Sequence, residues 1–328
     1  MGWINSLRAL AAMAVIMIHV AAPTVKSDLF VGTWWVGHGL DTLSRFAVPM
    51  FLMITGALLL YKDEPVNVFA KKRVWKIALP FLGWSLFYYV LANGFNGSLL
   101  DFIKDLLGNG NHYHLWYLYL IMLLYLFIPI LRKVVSHLPT SYILYFALIA
   151  AGIHTVTGIL GWIGMPLKIY TNPFSAGVAY LLLGYAIAHR ELKIKHLNWI
   201  GWISIVVMYF GTYLLALQDL NFNDMFYEVF GIFVMMQAVM IFAYVYENKD
   251  RFNKVGHSKV VQFISTYSFG VYLIHPFVIM IVNKFLPQYL FTIQYGYVGF
   301  IVKFLAVLGL SLLPIWGASK IPVVRKFV

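Results

Sequence analysis

The chain contains no cysteine, so it has no disulfide framework, no thiolate metal site and no cysteine nucleophile. Charge is almost as scarce. Only 11% of the 328 residues are Asp, Glu, Lys or Arg, whereas soluble domains carry roughly a quarter. With that little charge and 62% hydrophobic residues, no ordinary water-facing surface can be built around one core. Short strands of alternating polarity are missing too, which argues against a membrane β-barrel. What remains is a succession of apolar runs of about 18 residues or more, each able to cross roughly 30 Å of hydrocarbon. The expected fold is an all-α integral membrane bundle over 1–328, with no second domain.

Gly, Pro and charge punctuate ten expected spans, near 4–24, 40–61, 77–94, 114–131, 141–161, 174–190, 199–216, 225–246, 260–283 and 297–317. The N-terminal run resembles a signal peptide in length, but Arg8 interrupts its order, so it reads as a retained first helix. With the N-terminus in the cytoplasm, 18 of the 24 basic residues fall on the cytoplasmic side, leaving six outside, namely Lys26, Arg45, Lys104, Lys168, Lys284 and Lys303. The positive-inside rule then puts both termini in the cytoplasm. The net charge of +12 is spread over these short segments rather than a soluble basic face, and this excludes nucleic acid as the expected partner. The stretch GSLLDFIKDLLG (97–108) has the pattern of a helix lying in the outer interface, as a lid or spacer.

Two ionisable residues stand out in the first run, SLRALAAMAVIMIHV (6–20). Arg8 and His19 are 11 residues apart. At 100° per residue they project from one helix face, about 16 Å apart along the axis. Facing lipid, a charged group near the centre costs roughly 2.5 kcal/mol or more, so this stripe is expected to face the bundle interior. Arg8 alone is equally compatible with a snorkelling anchor, and His19 with a hydrogen-bonded core histidine. Together they suit an arginine that holds phosphate at the inner entrance and an imidazole that moves protons deeper in.

The Arg-His pair resembles the first-helix signature of acyltransferase family 3, integral-membrane enzymes that move acyl groups from cytoplasmic acyl-CoA to sugars. SRFAVPMFLMITGALLL (44–60), KKRVWKIALP (71–80), HLWYLYLIMLLYLFIP (114–129) and YSFGVYLIHPF (267–277) resemble four further family segments, in the family order. The family usually has two arginines where this chain has Arg73 and Lys76, and often an acid where it has Asn5. The resemblance implies an O-acetyltransferase acting on a surface polysaccharide or lipid-linked sugar, with acetyl-CoA as co-substrate and no metal. It implies His19 and His114 as catalytic residues, Arg8, Arg73 and Lys76 as donor-binding residues, and Arg45, Trp116 and His275 at the acceptor. Polysaccharide-synthesis proteins are possible partners. His19 serves as general base or as transient acyl carrier; its position does not choose between them.

Several readings stay open at this stage. Arg45 can bind an acceptor phosphate or pair with Asp41 four residues earlier. His112 and His114 have a spacing that can hold a metal, though no further ligands lie close in sequence. His154 reads as a core residue, Lys303 as a snorkelling one, Glu228 as a rim residue, and Ser265 and Ser268 lack a nucleophile context. A transporter or flippase of a lipid-linked sugar is the rival class, because intramembrane Arg and His also line transport paths.

Overall fold

The computed structural model describes residues 1–27, 29–108, 112–167, 173–285 and 296–328. Lys168, expected on the outer side, lies outside them. The described residues are helical, with short 3-10 turns and no strands. Nine stretches among the described residues are long and apolar enough to cross a membrane, so the chain is a multi-pass membrane protein. The ten expected spans therefore reduce to nine full-length ones and a shorter apolar helix at Phe174–His189.

Helices α1 (Gly2–Ser27), α2 (Gly32–Ser44), α3 (Ala47–Leu59) and α4 (Val66–Asn93) are followed by α5 (Leu99–Gly108), α6 (Trp116–His137) and α7 (Thr140–Trp162). Then come α8 (Pro173–His189), α9 (Leu197–Asp219), α10 (Ile232–Glu247), α11 (Lys249–Gly256), α12 (Lys259–Phe285) and α13 (Gly296–Ala318). The second span begins eight residues before the expected position 40 and breaks at Arg45 and Phe46. Pro49 explains the restart at Ala47: it falls in the first turn of α3, where no helical amide donor is needed, and cannot continue α2. α4 begins eleven residues earlier than expected, directly after Pro65, so Lys71, Lys72, Arg73 and Lys76 ride on a helix rather than in a loop.

The short α8 is the most enclosed helix, with Ala179, Tyr180, Leu181 and Ala186 fully buried. It packs on α3 with almost no gap between backbones. A Cβ on Gly56 would strike the Leu181 backbone, and one on Gly184 would strike that of Met53. Gly56 is thus a contact surface: only hydrogen at position 56 lets the helices approach this closely, which carries α3 and its preceding turn into the bundle.

α1 is held from two sides. Trp3 N donates to Asn253 Oδ1 at 3.0 Å and Ser6 Oγ to the Phe252 carbonyl at 2.9 Å, fixing α1 to α11. Asn5 bridges further, donating from Nδ2 to the Gly256 carbonyl and accepting from Ser265 Oγ at 3.2 Å. The residue standing where the family often has an acid is therefore a clamp between α1, α11 and α12. α5 is amphipathic as expected, and none of its residues is buried. Ser98 caps it: Asp101 N donates to Ser98 Oγ at 3.1 Å, and Ser98 Oγ to Asp101 Oδ2 at 2.6 Å. Lys303, expected to snorkel, is instead only 6% exposed, because α13 turns that position toward the bundle.

Candidate functional site

At the end of the bundle that carries the N-terminus, Arg8 projects from α1 into two adjoining cavities. One, of about 280 Å³, is lined by Val15, Phe51, Tyr117, Ser265, Ser268 and Tyr272 as well as Arg8. The other, of about 430 Å³, is lined by Thr55, Lys62, Arg73, Lys76 and Tyr125, again with Arg8. Both include Phe51, Tyr117, Tyr125 and Phe269, so Arg8 stands where they meet. Arg73 and Lys76 are one turn apart on α4 and reach the second cavity together, which makes its mouth strongly basic. No ion pair among the described residues engages Arg8. A half-buried guanidinium in that position presents its planar fork to whatever enters.

Glu64, in the loop between α3 and α4, faces the same basic mouth. Its carboxylate lies 3.2 Å from Lys72 Nζ, 3.9 Å from an Arg73 nitrogen and 3.6 Å from an Arg132 nitrogen. Partial burial pushes the Glu64 carboxyl up, but the Lys72 hydrogen bond and the charges of Lys72, Arg73 and Arg132 hold it below the usual glutamate range. Arg132 also anchors the loop: its Nε donates to the Leu59 carbonyl at 2.9 Å, and its guanidinium stacks 4.7 Å from the Phe69 ring centre. Sequence reading missed Glu64 and Arg132; the acid in KDEP was the available signal.

Further along α1, His19 belongs to a cluster of four imidazoles. Its ring lies 5.0 Å from that of His275, nearly parallel, and 5.1 Å from Tyr113. His114 is 5.5 Å from His275 and 5.0 Å from His112. A proline builds this arrangement. Pro276 has no amide hydrogen, so the Tyr272 carbonyl loses its helical donor, and His275 Nδ1–H donates to it instead at 2.7 Å. A neutral His275 ring then carries its lone pair on Nε2, which is buried without a hydrogen-bond partner. The next carbonyl, Leu273, accepts from the Tyr88 hydroxyl at 2.8 Å and from His114 Nε2–H at 3.3 Å. With Nε2 donating, His114 Nδ1 must accept, and His112 Nδ1–H supplies the bond at 2.9 Å. Both nitrogens of His114 are thus engaged, while His275 offers an open one.

Tyr272 links the two regions. Its ring lines the smaller Arg8 cavity, stands 5.7 Å from Tyr117 and 5.4 Å from His114, and its hydroxyl donates to the His114 carbonyl. Arg8 and His19 lie on the face of α1 turned toward α12, but the cavity lining ends at Val15 and Tyr272, and His19 is one layer beyond. Ser265 and Ser268 line that cavity with their hydroxyls already engaged, Ser268 Oγ donating to the Ser265 carbonyl at 2.9 Å.

The chain belongs to the acyltransferase 3 family. The family model, described as an acyltransferase domain, matches residues 1–320. A curated relative from Enterococcus faecalis, named amino-acid racemase, is 26% identical over 273 residues, which cover 75% of this chain and 37% of the relative. The chain thus spans little more than a third of the length of that relative. No solved structure matches. Within the acyltransferase frame the basic cavities and the imidazole cluster are two neighbouring features of one bundle, and not every expected site residue joins them. Trp116 turns its ring to Phe230 at 6.0 Å, toward a groove of about 530 Å³ lined by His154, Trp162, Asn223, Asp224 and Glu228. His154 is buried and Glu228 exposed, as expected.

Arg45 forms the ion pair with Asp41 that its spacing allowed. Its guanidinium lies 4.2 Å above the Tyr227 ring centre. Around it runs a buried network that the sequence did not reveal: Tyr227 O–H donates to His38 Nδ1 at 2.6 Å, and His38 Nε2–H to the Tyr209 carbonyl at 2.8 Å. Asp41 Oδ1 and Arg45 Nε remain buried without hydrogen-bond partners, so the pair keeps bonding capacity.

Proposed function

We propose that the protein is an O-acetyltransferase of the bacterial inner membrane, taking acetyl-CoA from the cytoplasm and esterifying a hydroxyl of a surface polysaccharide or its lipid-linked precursor. The observation that carries this reading is the convergence of Arg8, Arg73 and Lys76 on adjoining cavities, the smaller of which reaches Tyr272, whose ring lies 6.0 Å from the His275 ring stacked on His19. Phosphate-bearing donors suit such cations, with arginine binding in a bidentate fork and lysine as a point charge. The positive-inside pattern supports a cytoplasmic position for this end.

Acyl transfer needs a nucleophile at the thioester carbonyl and a proton for the departing thiolate. In one route His19 takes the proton of the sugar hydroxyl as the new C–O bond forms, and returns it to the coenzyme thiolate as the C–S bond breaks. In the other, His19 attacks the thioester, its ring proton passes to the thiolate, and the acyl-imidazole then acylates the hydroxyl, whose proton restores the ring. Both balance without a further reactant. His114, with both nitrogens engaged, orients the cluster, and the open His275 Nε2 is placed to accept a proton or a hydroxyl hydrogen bond. Arg45 and Trp116 lie on the acceptor side in this reading, with polysaccharide-synthesis proteins as partners. The test is thioester consumption by purified protein given acetyl-CoA and candidate glycans. His19→Ala is expected to abolish turnover while leaving the folded protein intact. Absence of thioester turnover with every acceptor class would overturn the reading.

A further inference from the structure

Around Glu64 the bonding is incomplete on both sides. Only Lys72 reaches hydrogen-bond distance, at Oε1; Oε2 faces Arg132 at 3.6 Å and Arg73 at 3.9 Å. Glu64 Oε2, Arg73 Nε and the Arg132 terminal nitrogen are all buried without a hydrogen-bond partner. One carboxylate is too small for three cations. A phosphate, with more oxygens and up to twice the charge, matches the donor set better.

The position fits as well. Glu64 and Arg132 line a cavity of about 520 Å³, Arg73 lines the 430 Å³ cavity that leads to Arg8, and Lys62 lines both. Arg132 and Arg73 therefore sit where a molecule entering toward Arg8 would place a charged end, with Lys72 beside them on Glu64. The loop does not depend on the Glu64 carboxylate for its hold. Arg132 holds the Leu59 carbonyl at the end of α3, just before the loop, and, at 3.3 Å, the carbonyl of Glu64 itself.

We propose that Lys72, Arg73 and Arg132 form a seat for a phosphate of the nucleotide donor, and that Glu64 occupies it until the donor arrives. The inference rests on the donor reading given above and adds Arg132 as a phosphate ligand and Glu64 as a built-in competitor. Glu64 acts through Arg73 and Arg132; it is a positioning residue that sets how tightly the donor's charged end binds.

Calorimetric titration of the full chain in detergent with adenosine 3′,5′-bisphosphate tests it, since this probe carries the 3′-phosphate and the first 5′-phosphate of coenzyme A without the pantetheine arm and its thioester. Glu64→Gln is expected to bind about fivefold more tightly, the scale of one lost exposed ion pair, and Arg73→Ala to bind more weakly. In turnover, Glu64→Gln lowers KM for the donor by more than it changes kcat. Glu64→Asp, which keeps the charge, stays near wild type; an Asp variant as tight as the Gln variant would report a loosened loop and overturn the proposal. Unchanged or weaker binding by Glu64→Gln, with Arg73→Ala still weakened, sinks the seat while the donor reading stands. Unchanged binding by Arg73→Ala sinks the donor reading at this mouth. Wild-type protein gives an independent readout: carbodiimide labelling of Glu64 rises when the bisphosphate is added, and labelling that holds steady or falls contradicts displacement.

Discussion

His275 donates its Nδ1 proton to the Tyr272 carbonyl, the carbonyl that Pro276 leaves without a helical donor. One missing amide hydrogen in α12 thereby fixes the tautomer of an imidazole stacked on His19. Pro276→Ala restores a competing N–H and frees His275 to turn. The expected result is protein at least as stable as wild type with acyl transfer reduced about tenfold, within the range for a misplaced catalytic group. Comparison of melting temperature and turnover checks it; loss of both in parallel would mean Pro276 serves only the fold.

His112 holds His114 through one Nδ1 to Nδ1 bond. His112→Phe keeps the stacking on Tyr88 at 4.3 Å but removes the proton. Turnover is expected to fall by about tenfold or less, because His112 orients another ring rather than transferring the proton itself. A loss as large as that of His19→Ala would make His112 a direct participant.

Gly56 and Gly184 each face the backbone of the other helix. Gly184→Leu cannot be absorbed by a side-chain shift, and exceeds the roughly 1–3 kcal/mol of ordinary overpacking. The variant is expected to yield little monodisperse protein on size-exclusion chromatography, whereas Gly309→Ala, with open space at its Cβ, behaves as wild type.

The Glu64 carboxyl is held below the usual glutamate range. A group depressed in the folded state adds stability above its unfolded pKa and loses it as pH falls through the folded value. Thermal stability should therefore decline as pH drops below the ordinary glutamate range. Glu64→Gln should lack that part of the decline, which melting curves across acid pH will show.

Much of the bundle was legible because lipid imposes a length and a polarity on each span. Pro49, whose missing amide hydrogen permits irregular backbone, was the available signal for the break inside the span expected over 40–61; the amphipathic α5 was legible from its charge spacing, and the meeting of Arg8 with Arg73 and Lys76 from the family motifs. Other features depend on contacts between helices, which no single-helix period encodes. The early start of α4 was hidden because its basic residues mimic a loop. The amphipathic α11 that clamps α1 carries too few apolar residues to register as a span. The burial of Lys303, the His38–Tyr227 network and the seat around Glu64 each require partners more than a hundred residues away or on separate helices.

In the proposed function the basic cavities and the His19 cluster serve a single acyl transfer. Single-turnover kinetics with radiolabelled acetyl-CoA and a glycan acceptor tests it most directly, using wild type, Arg8→Ala and His19→Ala. Arg8→Ala is expected to raise the donor concentration needed for half-maximal rate, while His19→Ala still binds donor but transfers label at least about a hundredfold more slowly. Transfer at the wild-type rate by His19→Ala would contradict it.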